Sequence, residues 1–185
     1  MMEELISYGA QVVVRLGSND FNVTKDDLNS LYVVRACYGL VGMFQDLGYP
    51  PEVWGRGIQS DDGLVVSLLS RGRQLDDVQV WDSLGYNVES FYAFMNPEIA
   101  YDPIRVGKMI DRYQKELDRD GGRICRDMET CAVLLISELR GIRAASVLQA
   151  VIKHDESSHE DVGTTGIHLV LETLVEENRK LVKYQ

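Results

Sequence analysis

A chain of 185 residues, 45% hydrophobic and 26% charged, is long enough for one well-buried domain, short for two, and too apolar to remain disordered. Its 29 acidic against 19 basic residues give a net charge of −10, which opposes general binding to nucleic acid polymers or to an anionic membrane. Cys37, Cys125 and Cys131 form no CxxC pair, so neither a disulfide framework nor a zinc cluster is indicated, and buried thiols are expected.

In chain order, "MEELISYG" reads as the end of a helix closed by Gly9. Acids stand there where a signal peptide carries positive charge, and the next apolar run stops at Arg15, so a cytoplasmic location is the expectation. No segment approaches the ~20 apolar residues that a membrane span needs. "AQVVVRLG" and "LYVVRACYG" read as buried strands. "SDDGLVVSLLSRGRQL", with acids leading an apolar spacing, reads as a helix. "VQVWDSLGYNV" is a further strand, and "IRVGKMIDRYQKELDRDGG" an amphipathic helix ending at a glycine pair. "ETCAVLLISELRG" is a helix closed by Gly141, "AASVLQAVI" a β-branched strand, and "TTGIHLVLETLVEENRKLV" a closing helix. With no repeat or low-complexity tract, residues 1–185 read as one domain.

Strands alternating with helices predict an α/β layer fold, whose ligands collect at the carboxyl ends of strands. Three stretches follow as places for a site: 15–21, 87–92 and 152–159. The opening two turns of helix before a core strand lead us to expect that an N-terminal portion is missing.

The residues able to carry chemistry are few. "RLGSN" follows a strand directly: a guanidinium at Arg15 binds phosphate bidentately, Gly17 lets the backbone turn, and Ser18 adds a hydroxyl donor. Asp20 opposes a dianion there unless a cation intervenes. In "DMET", Asp127 and Glu129 stand where an apolar helix begins. Local pattern favours Asp127 as the helix cap with Glu129 on its dipole. The competing possibility is that Glu129 accepts hydrogen bonds from a sugar's vicinal hydroxyls while Met128 packs on the sugar face. Aromatics in "ESFY" are more often core than ligand platform. His154 and His159 fall in a polar loop read as solvated rather than metal-binding, and His168 reads as structural. No GxSxG, Walker A, HExxH or GxGxxG motif occurs.

Taken in order, "YGAQVVVRLGS", "LYVVRACYG", "LGYPPEVWG", "GYNVESFY" and "CRDMETCAVLLISELRGIRAASVLQAVI" resemble the nucleoside phosphorylase family, and its uridine phosphorylase branch in particular. The resemblance runs over nearly the whole chain, and the Asp-Met-Glu block is its most specific part. It implies a three-layer α/β/α fold with a central mixed sheet. It also implies phosphorolysis of a nucleoside to free base and ribose 1-phosphate, with inorganic phosphate as co-substrate and no cofactor or metal. A homo-oligomer, dimer or higher, is implied as well. By the same resemblance Arg15, Gly17 and Ser18 hold phosphate, Met128 and Glu129 hold the ribose, and Phe91 stacks on the base. In "PEIAYD", Glu98 occupies the slot of a uracil-reading glutamine and Ala100 that of its arginine, ahead of the shared Tyr101 and Asp102. Lys153 stands where purine enzymes of the family place an aspartate, and Asp20 where members generally have glycine. These departures keep a catalytically inactive, nucleoside-binding or assembly role as the alternative.

Overall fold

Strand β2 (Ser30–Gly39) organises the molecule, a computed structural model that describes residues 1–20, 23–39, 41–88, 90, 92–93, 96–119, 123–151 and 159–182. Among the described residues the sheet has six strands in the order β1-β6-β2-β4-β5, with β3 added to β2. The strands are β1 (Val12–Asn19), β3 (Ile58–Gln59), β4 (Gln79–Asn87), β5 (Arg123–Asp127) and β6 (Arg143–Ala150). Pairing is parallel for β1 with β6, β2 with β4 and β4 with β5, and antiparallel for β2 with β6, so the sheet is mixed.

Alternate residues of a strand face opposite sides of a sheet, and here each side is covered by helices. Leu31, Val33, Ala145 and Val147 meet Leu64, Val65 and Leu68 of α3 (Asp62–Gly72), together with Leu169 and Val170 of the closing helix α6 (His159–Val182). Their neighbours Tyr32, Val34, Ala144 and Leu148 pack with Phe44 of α2 (Val41–Asp46) and with Leu134 and Leu135 of α5 (Thr130–Arg140). That is the expected α/β/α sandwich around a mixed sheet. Further helices are the short α1 (Met2–Ser7), the amphipathic α4 (Pro103–Arg119) and single turns at Lys25–Asp27, Pro51–Val53 and Pro97–Ile99. No helix among the described residues is long and apolar enough to cross a membrane.

Local signals set several boundaries. Asp61 caps α3 by accepting the Leu64 N–H at 2.9 Å, and Gly141 closes α5 at φ 67°, a left-handed conformation that costs glycine little. Other expectations need correction. β3, β5 and α2 carry no strong periodic signal and are absent from the sequence reading. The closing helix begins at His159, not Thr164, so His159 heads a helix instead of lying in a loop. Gly163 disguises that start, because it weakens the helical pattern. A Cβ there would lie 2.9 Å from Gln149 Oε1, so glycine allows the helix to approach β6 closely.

Although β1 and β5 lie at opposite ends of the strand order, the sheet curls until they meet. Asn19 Oδ1, fully buried at the end of β1, accepts the backbone N–H of Arg126 in β5 at 2.8 Å. The Asn19 carbonyl also accepts the Val151 N–H at 2.9 Å, just past β6. The carboxyl ends of β1, β4, β5 and β6 thereby converge.

Candidate functional site

Arg15 and Gly17 share one face of β1, two residues apart. The Arg15 guanidinium folds across Gly17 so closely that a Cβ there would lie 2.0 Å from its Nη1. From that position it reaches the turn after β5. Nη1 lies 2.9 Å from Asp127 Oδ2, and Nη2 donates to Glu129 Oε2. Arg15 Nη1 and Asp127 Oδ1 are buried and make no directed hydrogen bond, a costly arrangement that lies at the floor of a cleft.

The two carboxylates of "DMET" divide the roles that the sequence left open. Asp127 makes the cap: its Oδ2 accepts from the Thr130 backbone N–H at 2.9 Å and from the Thr130 hydroxyl at 2.5 Å. Its side chain is only 2% exposed, and burial pushes its carboxyl above the usual range, against the lowering pull of Thr130 and Arg15. Glu129 makes no capping bond, and its side chain is 61% exposed. Asn87, buried at the end of β4, fixes this turn by donating Nδ2 to the Met128 carbonyl at 3.0 Å and accepting the Cys131 N–H at 3.1 Å. Glu129 and Met128 are thus held at the rim by a rigid support.

A second ion pair lies beside the first. Arg126 Nη2 is 2.7 Å from Asp20 Oδ1, with the arginine side chain 3% exposed and the aspartate 22%. Asp20 is therefore paired with a buried cation. The nearby thiols are inert: Cys37, Cys125 and Cys131 are all buried and free, and burial pushes Cys37 and Cys125 up.

Together these residues line a cleft of about 260 Å³, whose walls are Arg15, Ser18, Asp20, Val88, Arg126, Asp127, Met128, Glu129 and Val151. The structure brings Arg15, Ser18, Met128 and Glu129 together, with Gly17 beneath the Arg15 guanidinium. Glu98 is exposed in the single turn Pro97–Ile99 and is not among the residues lining the cleft. Phe91, Lys153 and His154 lie outside the described residues. Arg126 and Val151 were missed as site residues, and Asn87 and Val88, although inside the stretch 87–92 marked for a site, were not singled out. A strand-end position offered a signal for Asn87 and Val88, whereas an isolated arginine in "ICRD" offered none.

The sequence matches no family model and none of the curated proteins. The fold is similar to a solved structure of the P. knowlesi homologue of P. falciparum PNP, with a TM-score of 0.69 at 16% identity. That likeness covers 97% of this chain and 67% of the other. At so low an identity the likeness shows the fold alone, a nucleoside-phosphorylase-like α/β/α architecture.

Proposed function

We propose that this cleft binds a nucleoside, uridine in preference, and cleaves its glycosidic bond by phosphorolysis to free base and ribose 1-phosphate. The observation that carries the proposal is the meeting of Arg15 and Glu129, 114 residues apart in sequence, in one cleft at the strand carboxyl ends. The likeness in fold to a nucleoside phosphorylase homologue supports it. Glu129 engages Arg15 through one oxygen and is exposed, so it retains acceptor capacity for vicinal hydroxyls of a ribose, with Met128 against the sugar face. Arg15 and the Ser18 hydroxyl would hold inorganic phosphate. Gly17 lies within strand β1, not in the turn expected for it, and its lack of a side chain leaves room for the Arg15 guanidinium. A phosphate oxygen forms the new bond to the anomeric carbon as the carbon–nitrogen bond breaks. The electron pair leaves with the base, which takes up a proton. Neither a metal nor another cofactor is needed in this scheme. Base contacts from Phe91 and Glu98 and a homo-oligomeric state belong to the proposal by resemblance alone, and a cytoplasmic location by composition.

One observation favours a second reading, in which the chain binds a nucleoside without turning it over. Three carboxylates (Asp20, Asp127 and Glu129) face two guanidiniums (Arg15 and Arg126) in the cleft, a balance unfavourable to a dianion. Phosphate-dependent release of uracil from uridine separates the two. Under the first reading turnover is measurable, and Glu129→Ala lowers it on the order of 10²-fold or more. Uridine binding with no wild-type turnover on any nucleoside selects the second. Failure to bind any nucleoside sinks both.

A further inference from the structure

Asp20 and Arg126 sit side by side in the cleft wall next to Ser18, where the proposed phosphate would be held. Their pair is not needed to close β1 onto β5. The Asn19 side chain already bonds the Arg126 backbone at 2.8 Å, and Arg15 already spans to Asp127 at 2.9 Å across the same seam. The carboxylate is also the more exposed partner, at 22% against 3% for the guanidinium, so it is the member nearer to solvent and to an incoming ligand.

We infer that Asp20 sets how strongly this cleft holds a phosphate dianion: by neutralising Arg126 it withholds the field of a second guanidinium from the anion subsite. The inference rests on the proposed binding of phosphate beside a nucleoside, and it adds a specificity-determining residue to that site. The physical reason is monopolar. Carboxylates outnumber guanidiniums by one in the cleft, and removal of the Asp20 charge balances them whatever other hydrogen bonds Arg126 keeps. A single charge roughly 6–8 Å from a dianion, at an effective dielectric of ~20–40, changes its affinity about tenfold or more. A neutral nucleoside feels the same charge far less, so Asp20 discriminates between the two ligands.

The test is calorimetric titration of the full chain with inorganic phosphate and, separately, with uridine. Asp20→Asn is expected to tighten phosphate binding about tenfold or more and to move uridine affinity by less than about threefold. The double variant Asp20→Asn with Arg126→Gln removes both charges and should return phosphate affinity to within about threefold of the wild type. Should Asp20→Asn not fold by circular dichroism, Asp20→Ser carries the same expectation. Unchanged phosphate affinity in a folded Asp20 variant that still binds uridine overturns the inference and leaves the phosphorolysis proposal standing. A tenfold loss in the double variant also overturns it, because Arg126 would then be contacting the anion directly. Wild-type protein that binds no uridine removes the underlying reading, and the inference falls with it.

Discussion

Asp127 and Glu129 lie two residues apart, yet substitution should separate them cleanly into a structural and a ligand-binding carboxylate. Asp127→Ala deletes the acceptor of the Thr130 N–H and hydroxyl, a cap worth about 1 kcal/mol. It also strips one carboxylate from a mostly buried guanidinium. Breaking a buried pair costs about 3–5 kcal/mol, reduced here because Glu129 still engages Arg15 and the Thr130 hydroxyl still has Ser146 Oγ at 2.9 Å. The total expected is about 2–4 kcal/mol. In a chain of 185 residues that lowers Tm by roughly 5–15 °C. Asp127→Asn keeps an acceptor for the cap and removes a charge that burial already disfavours, so about 1 kcal/mol or less is expected. Glu129→Ala, at an exposed position without a capping bond, should cost no more than about 0.5 kcal/mol. Urea denaturation followed by circular dichroism gives all three values, and uridine titration gives the functional half. Asp127→Asn as damaging as Asp127→Ala would show that the charge, rather than the hydrogen-bond acceptor, secures the turn. A loss above about 1.5 kcal/mol in Glu129→Ala would make Glu129 a structural residue and remove the basis for assigning it a ligand.

Two further outcomes follow from the same geometry. Gly17→Ala places a methyl group where the Arg15 guanidinium lies; because that guanidinium is the far end of a flexible side chain, the variant should fold within about 1 kcal/mol of wild type while losing roughly tenfold or more in uridine or phosphate affinity. Acid should destabilise the fold chiefly below the ordinary carboxylate range: Asp61, held low mainly by Arg143, and Asp27, held low mainly by the Thr24 hydroxyl, contribute stability that is complete above about pH 4 and lost as pH falls through their lower folded-state values. Asp127 works in the opposite sense, since its raised carboxyl gains a proton on folding and offsets part of that loss as pH drops toward 4. Urea midpoints measured from pH 7 to pH 3 should therefore fall steeply only at the acid end, and Asp61→Asn should flatten that limb.

The strands β1, β2 and β6 were legible because helices cover both sides of the sheet, so their centres read as nearly continuous apolar runs. β4, which carries Gln79, Asp82, Ser83 and Asn87, was legible instead through its strand-favouring Val80, Trp81 and Tyr86. β5 was not legible, and its position explains why. It pairs in register with β4 alone, lies at an edge, and spends three of its five residues (Arg123, Arg126 and Asp127) on charged contacts, so "RICRD" has the composition of a loop. Arg15 and Glu129 could be found because their residue types at a strand end and a helix start already suggested chemistry. Arg126 could not, because its meaning depends on Asp20, 106 residues earlier in the chain.

The same curl of the sheet accounts for the pattern of the site. Its charged residues come from two short stretches, 15–20 and 126–129, on strands at opposite ends of the strand order. Each ionic contact of the cleft crosses the seam where those strands meet: Arg15 to Asp127, Arg15 to Glu129 and Asp20 to Arg126. A charge deletion at the Arg15–Asp127 contact changes both the field felt by a ligand and the closure of the seam, whereas one at Asp20 bears on the field, because Asn19 holds the Arg126 backbone. Isosteric and charge-paired substitutions separate the two effects, because they remove the monopole while leaving the hydrogen-bonded seam in place. The cleft can therefore lose its charge preference without losing its shape, provided Asn19 continues to bind the Arg126 backbone.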